Sequence, residues 1–477
     1  MKTDAVAPLR RVADLAGRRA LVLGLARSGV AAARFLADAG AAVIAYDRRP
    51  APELADVIAA LEGRSVRLAL GVGEAEARAL LAGADLVVTS PSISAHFPTT
   101  DPWLREALLD AEARGAAIVS EVDLFLRLSR ARILAVTGTK GKTTTTALLG
   151  AMLAAADIPH AVGGNIGTPL IERANELGPG DWAVLELSEL QLPTISRGAE
   201  IAVYTNIAAD HLDRHGSVEA YRAMKARLAE LTATSGVVVL NVDDPGCVEL
   251  GERLAGDVRW YGLDGSSRQV SLQATVVEGT IHLDGSALMP VAEVPLPGRH
   301  MLSNVLAAAL GARVADAPHD AIAAGIRAFG GVPHRLELLG ERNGVRWVND
   351  SQATIPMAAI AALDAYDAPV VLIAGGQGKG LDLGGFVERI VERCRTAVLI
   401  GETAVELERL IAGRVSLIRA GSMDLAVDAA AAAARPGDVV LLAPAAASFD
   451  MFADYAARGD AFRAAAARIG VRPEGAA

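Results

Sequence analysis

Lys142 and Thr143 close a glycine-rich turn, Thr137-Gly138-Thr139-Lys140-Gly141-Lys142-Thr143-Thr144, that follows the apolar run Ile133–Val136. Such spacing suits an anion. Glycines let the backbone wrap a phosphate, and a helix beginning near Thr143 turns its positive end toward it. Lys142 is then placed for the β- and γ-phosphates and the Thr143 hydroxyl for magnesium, although the general pattern asks for a glycine where Val136 stands. A plain Gly/Thr-rich strand-to-helix turn is the alternative. Further on come Glu186, ending an apolar run, His211 and Asp213 in the segment NIAADHLDRH, and Lys225 on a helical stretch. Each has a bland reading as a strand-end charge, a loop residue or a solvated helix face. Downstream of a phosphate loop they become candidate magnesium ligands, because a carboxylate at the carboxyl edge of a parallel sheet sits where such sheets place their sites.

A second glycine turn, Gly24-Leu25-Ala26-Arg27-Ser28-Gly29, follows the run Ala20–Leu23, and Asp47 ends the next one. This is a dinucleotide fingerprint with Ala26 in place of its middle glycine, which hinders the close approach of a pyrophosphate and weakens NAD binding. A turn that only lets helix and strand pack explains it equally well.

The elements that must hold these residues are βα units. Apolar runs at Ala20–Leu23, Ala42–Tyr46, Leu86–Thr89, Ile133–Val136, Trp182–Leu187, Ile201–Thr205, Val237–Leu240, Val370–Ala374, Thr396–Ile400 and Asp438–Ala443 alternate with segments of helical period. The exception is the region 270–294, which alternates apolar and polar residues as antiparallel strands do. An Ala-rich stretch before Arg435 reads as a helix packed on a sheet. The fold class is therefore α/β, and a chain of 477 residues calls for about three domains. Breaks are expected near Thr99–Trp103 and at the turn Gly330-Gly331-Val332-Pro333, dividing the chain into 1–103, 104–332 and 333–477.

Composition narrows the class. A net charge of −10 without a basic run argues against a nucleic-acid partner, and the two cysteines, Cys247 and Cys394, fit a reducing compartment and form no metal-type spacing. Charges interrupt the N-terminus, and no run of about 18 apolar residues occurs, so no membrane association is expected and a cytoplasmic monomer is the reading.

The ordered set VTGTKGKTTT, GNIGTP, LELSELQL, NIAADHLDRH with YRAMKARL, PGRHMLSN, GVPHRLE, NDSQAT, IAGGQGKG and LLAPAAASFDMFADYAARG resembles the Mur ligases over nearly the full length. The resemblance implies a Rossmann-like N-terminal domain for a UDP precursor, a central P-loop ATPase-like domain and a Rossmann-like C-terminal domain for an amino acid. It further implies ATP and Mg2+ as cofactors, and an ATP-dependent ligase that adds D-glutamate to UDP-N-acetylmuramoyl-L-alanine through an acyl phosphate in peptidoglycan precursor synthesis. On the family's positions, Gly138, Thr139, Lys140, Gly141, Lys142, Thr143, Thr144, Asn304, Arg335 and Asp350 fall around ATP, with His334 nearby. Arg27, Ser28, Asp47, Arg48 and Asn165 fall on the precursor, and Thr354, Lys379, Ser448 and Tyr455 on the amino acid. Thr143, Glu186, His211 and Lys225, the last carried as a carbamate, match metal positions; Lys142, Glu186, His211 and Lys225 form the catalytic group. A carbamate would turn an ammonium into an anionic oxygen ligand suited to a hard cation.

The sequence departs from the family pattern at Met301, where Asn is frequent, at Gln352 for the usual Lys, at Ile355 for Asn, and at Gln377 for an acidic residue. Three of these lie in the amino-acid domain and bear on the identity and handedness of that substrate more than on the reaction. A ligase using L-glutamate and a folylpolyglutamate synthase-like enzyme remain alternatives, although the latter lacks such a first domain. From other classes, an NAD-dependent dehydrogenase is opposed by Ala26, and a non-catalytic nucleotide-binding regulator stays open.

Overall fold

The computed structural model describes residues 9–95, 97, 99–165, 167–207, 218–263, 270–295, 298–378 and 380–472. These form two compact units, Met1–Phe329 and Gly330–Ala477, with two sheets in the first and one in the second.

The first sheet is wholly parallel, in the order Val66–Leu70, Ala42–Asp47, Arg19–Leu23, Leu86–Thr89, Ala117–Ser120. Its last strand lies beyond residue 103. Alternate residues serve opposite faces: Ala20 and Val22 join one core cluster, Leu21 and Leu23 another, so both faces are covered.

In the second sheet the order is His160–Gly164, Trp182–Glu186, Arg132–Thr137, Ile201–Tyr204, Val237–Asn241, Asp257–Gly262 and Leu272–Val277, all parallel. The antiparallel strands Thr280–Leu283 and Ser286–Pro290 then extend it, as the alternation in that region predicts. Ile133, Leu134, Ala135 and Val136 are wholly buried, which places the phosphate loop at the end of a central, rigid strand. The helices Lys142–Ala155, Arg299–Val314 and His319–Ala328 pack together on this sheet.

The second unit carries the antiparallel pair Glu337–Arg342 and Val345–Asn349, continued in parallel by Val439–Leu442, Val370–Gly375, Cys394–Ile400 and Ser416–Arg419. The Ala-rich stretch is the helix Met423–Ala433.

A buried acid near the first sheet has a measurable consequence. Glu121 opens the helix Glu121–Leu128 directly after Ala117–Ser120, is 3% exposed, and accepts one N–H, from Ile171 at 3.3 Å. Burial pushes its carboxyl up to about 7. Because the folded value lies above the unfolded one, ionisation penalises the fold as pH rises from about 4.5 to 7, and the penalty is complete above that window. Glu121→Gln should therefore raise stability at pH 8 by roughly 3 kcal/mol relative to its effect at pH 5. Thermal melts of both proteins at the two pH values check this; equal effects at both would contradict it.

Candidate active site

Around the phosphate loop, sterics account for the glycines. Gly138 and Gly141 adopt φ of +145° and +86°, and a Cβ on them would lie 1.9 Å from Thr205 Oγ1 and 2.3 Å from Asn304 Oδ1. The turn is laced to the end of the strand Ile201–Tyr204. Thr139 N–H donates to Asn206 O (2.9 Å), Lys140 N–H to Asn206 Oδ1 (3.0 Å), and Thr205 Oγ1 and Asn206 Nδ2 donate to Lys140 O at 2.6 and 2.9 Å. Gly141 caps the helix Lys142–Ala155, which starts with Lys142, Thr143 and Thr144. Val136, at the missing-glycine position, is a buried strand residue, so here the loop narrows only from Gly138 onward.

Two ammonium groups converge on one carbonyl. Lys142 Nζ donates to Gly138 O and Thr139 O at 3.0 Å each, and the fully buried Lys225 Nζ donates to Gly138 O at 2.9 Å. Lys225 comes from the helix Val218–Thr232 and lies 5.5 Å from the Tyr221 ring centre. Glu186 ends the strand beside the loop, in register with Val136. Its Oε1 accepts Asn165 Nδ2 at 2.7 Å, while Oε2 is buried without a hydrogen-bond partner among the described residues. A buried carboxylate oxygen left over beside a phosphate loop is a good donor for a hard divalent cation, so Glu186 with Thr143 fits magnesium. An unmodified Lys225 ammonium does not fit that cation, whereas its carbamate would. His211 and Asp213 lie outside the described residues, and among those described no cluster of three His, Cys, Asp or Glu forms a metal centre.

Asn165, expected on the precursor, is thus tied to Glu186 through both its amide side chain and its backbone N–H (2.9 Å to Glu186 O). Asn304 packs on Gly141 and donates to Met301 Sδ at 3.8 Å, so the sulfur that replaces an amide lies against the loop's neighbour.

At the carboxyl edge of the first sheet, Gly24 takes φ +87° and Gly29 lies so close that a Cβ would sit 1.9 Å from Gly24 O. Arg27 and Ser28 open the helix Arg27–Asp38, and Arg27 Nη1 donates to Gly167 O at 2.9 Å, joining this edge to the GNIG turn. Arg48 is exposed. Asp47 is buried and saturated: Leu25 N–H reaches Oδ2 at 2.9 Å, and Arg49 donates through its backbone and guanidinium at 2.9–3.0 Å. Burial pushes that carboxyl up, but Arg49 and the N–H donors outweigh it and hold it below the usual carboxylate range. Asp47 braces the glycine turn.

The second unit gathers the remaining residues at the carboxyl edge of its sheet. Asp350 follows the strand Val345–Asn349, accepts Leu336 N–H at 3.1 Å, and is pushed up to about 6 by burial, against the pull of that N–H and of Arg335. Arg335 is exposed. His334 holds φ +64° and is buried, with Asn349 Nδ2 3.0 Å from its Nδ1 and the Tyr455 ring edge-on at 6.3 Å. Desolvation lowers its pKa, opposed by Glu337 and Asp460. Thr354 is half-buried, Ser448 is buried, and Tyr455 opens the helix Tyr455–Arg468, its carbonyl accepting Ser351 Oγ at 2.7 Å. Lys379 lies outside the described residues. Sequence reasoning passed over Asn206, which holds the phosphate loop, Arg49, and the fully buried Arg458. Arg458 stands inside the quoted segment FADYAARG, where an arginine on a helix reads as solvated.

A parallel α/β sheet whose central strand feeds a Gly-Lys-Thr loop, flanked by a buried acid with an oxygen to spare, defines a nucleotide-binding phosphate-loop protein. The chain belongs to the Mur ligase family. Residues 18–119 match the Mur ligase MurD-like N-terminal domain, 136–312 the Mur ligase middle domain, and 334–446 the Mur ligase glutamate ligase domain. It is similar to the UDP-N-acetylmuramoylalanine–D-glutamate ligases of Solibacter usitatus (41% identity, covering 94% of this chain and 97% of that one) and of Caldanaerobacter subterraneus subsp. tengcongensis (40%, 95% and 98%). Among solved structures, the UDP-N-acetylmuramate–alanine ligase of Thermotoga maritima shares the fold at 17% identity, with a TM-score of 0.56 over 93% of this chain and 98% of that one. No helix among the described residues is long and apolar enough to cross a membrane.

Proposed function

We propose that the chain is an ATP-dependent ligase that joins D-glutamate to the carboxylate of UDP-N-acetylmuramoyl-L-alanine, in the cytoplasm, as a step of peptidoglycan precursor synthesis. The observation that carries the reading is the convergence of Lys142, Lys225 and the free oxygen of Glu186 on one phosphate loop. In the reaction a carboxylate oxygen of the precursor attacks the γ-phosphorus of ATP and ADP leaves; the amine then attacks the acyl phosphate, and phosphate departs as the nitrogen loses a proton. No side chain needs to act as a nucleophile. Phosphoryl transfer of this kind is carried by placement and charge neutralisation, which is what a lysine at the start of a loop-capped helix supplies. Magnesium, when bound, neutralises phosphate charge; Thr143 and Glu186 would hold it, with His211 and carbamylated Lys225 completing the set.

The geometry of Asp47 weighs against a nicotinamide-dinucleotide site in the first sheet. A dinucleotide site needs that carboxylate as a free acceptor for a ribose hydroxyl, and here Leu25 and Arg49 occupy it, which disfavours a dehydrogenase. In the second unit, Thr354, Ser448 and Tyr455, with Lys379, are assigned to the amino acid and Arg335 and Asp350 to the nucleotide; in the first unit, Asn304 is assigned to the nucleotide.

Gln352, Ile355 and Gln377 make the handedness the point to test. Incubating both glutamate enantiomers in competition with UDP-N-acetylmuramoyl-L-alanine and ATP, followed by chiral analysis of the product, should give almost only the D-product. A predominantly L-product would refute the stereochemistry and leave the ligation intact.

A further inference from the structure

Arg458 is 0% exposed, and among the described residues its guanidinium makes its hydrogen bonds only to neutral oxygen. Nε donates to Ser351 Oγ (3.0 Å), Nη2 to Ser351 O (2.9 Å), and Nη1 to Ala446 O and Ala447 O (3.1 Å each). Those acceptors lie on the loops that follow the strands Val345–Asn349 and Val439–Leu442. A third loop touches the same group, since a Cβ on Gly376 would sit 3.1 Å from Nη1 and 2.1 Å from Ala447 O. Gly376 is the second glycine of the GGQGKG turn, which is zipped to Ala447 by paired backbone bonds: Gln377 N–H donates to Ala447 O (2.9 Å) and Ala447 N–H to Gln377 O (3.1 Å). The residue after Arg458 is a glycine for a related reason: a Cβ there would meet His334 Nδ1 at 2.1 Å, so the helix presses its arginine into the loops.

A buried cation usually carries a carboxylate partner, because desolvating a lone charge is costly. Among the described residues no carboxylate bonds to Arg458. Asp450 acts on it through space, yet Asp450 is exposed and its Oδ2 accepts Glu402 N–H at 2.8 Å. Burial lowers the guanidinium only to about 10, so it stays charged at neutral pH. The molecule therefore keeps a full positive charge, fixed by four acceptors, against Ala446 and Ala447, which precede Ser448 in the chain, and against Gly376 of the neighbouring turn.

We propose that Arg458 is a positioning residue of the amino-acid pocket, which holds the Ser351, Gly376 and Ala446–Ser448 loops in one arrangement and supplies a permanent positive field that favours a substrate with a second carboxylate. The inference rests on the ligase reading above. It also accounts for how a pocket bearing Gln352, and so lacking the lysine charge that the family pattern has there, would still favour an amino acid with two carboxylates.

The test compares glutamate with glutamine of the same hand, since the two differ in one charge at nearly equal shape. Wild type should favour glutamate in kcat/KM. Arg458→Met should reduce that preference by about tenfold or more, as expected for loss of a unit charge within several ångströms at an effective dielectric near 20, while KM for ATP and for the precursor stays within about twofold. A loss of rate that is the same for both amino acids is what a purely structural role gives, and it would overturn the proposal. Arg458→Lys retains the charge with fewer bonds, so turnover should fall while the preference survives; a preference lost in this variant also overturns it, and this variant decides the matter where the methionine variant does not fold. Wild type that joins neither amino acid would instead remove the ligase reading, and this inference with it.

Discussion

Lys142→Ala should lower the ligation rate by about a hundredfold or more while the protein stays folded. The side chain follows a glycine in the left-handed region and opens a helix, so its Nζ is held at the phosphate loop, 3.0 Å from two of its carbonyls. In that position it serves the transferring phosphoryl group. Losing one preorganised charge contact to a developing transition state typically costs 10²–10³ in rate. The fold should survive, because the helix is anchored by Leu148, Leu149, Met152 and Leu153, all wholly buried, and the loop by its bonds to Asn206. Steady-state turnover together with a thermal melt checks both halves. Turnover within a few-fold of wild type would remove Lys142 from the chemistry.

Lys225→Ala is expected to be nearly inactive, with part of the rate restored by a small carboxylic acid in solution. Lys225 is a wholly buried amine that donates to Gly138 O, a carbonyl that Lys142 also uses. Two cations on one carbonyl repel each other, and conversion of Lys225 to a carbamate would replace that repulsion by attraction and add oxygens suited to a hard cation at the loop. Intact-protein mass spectrometry in bicarbonate should show the added carbon dioxide on wild type and not on the variant. An alanine variant with full activity would rule out the role, and one that is inactive but not rescued by acetate or formate would confine Lys225 to structure.

The central strands were legible because they are buried on both faces and read as apolar runs; Ile133–Val136 and Val370–Ala374 fall in observed strands, and Trp182–Leu187 overruns its strand, Trp182–Glu186, by one residue. Val66–Leu70, His160–Gly164 and Ser416–Arg419 did not stand out. Each lies at a sheet edge and is only partly buried, so its sequence carries polar or small residues where a run would be needed. In the hairpin Glu337–Arg342/Val345–Asn349, the first strand lies at the sheet edge and is only partly buried, while the second is buried and paired on both sides but has its apolar run broken by Arg346. The strand, glycine turn and helix of the phosphate loop were legible in local sequence, although Val136 departs from the general spacing. Arg458 was not, since nothing local distinguishes an arginine that points into a protein from one that points out; only the tertiary approach of the loops at Ser351 and Ala446 buries it. Asp47 stands at a strand end, where the resemblance places a precursor contact; that Arg49, two residues on, turns back to bond the same carboxylate is not legible in the sequence.

The most direct test of the ligase reading is phosphate release from ATP with the intact chain, magnesium, UDP-N-acetylmuramoyl-L-alanine and D-glutamate, and with each substrate omitted in turn. Phosphate should appear at the full rate only with the complete set, with one phosphate formed per peptide bond. Release that is indifferent to the precursor or to glutamate would contradict the account.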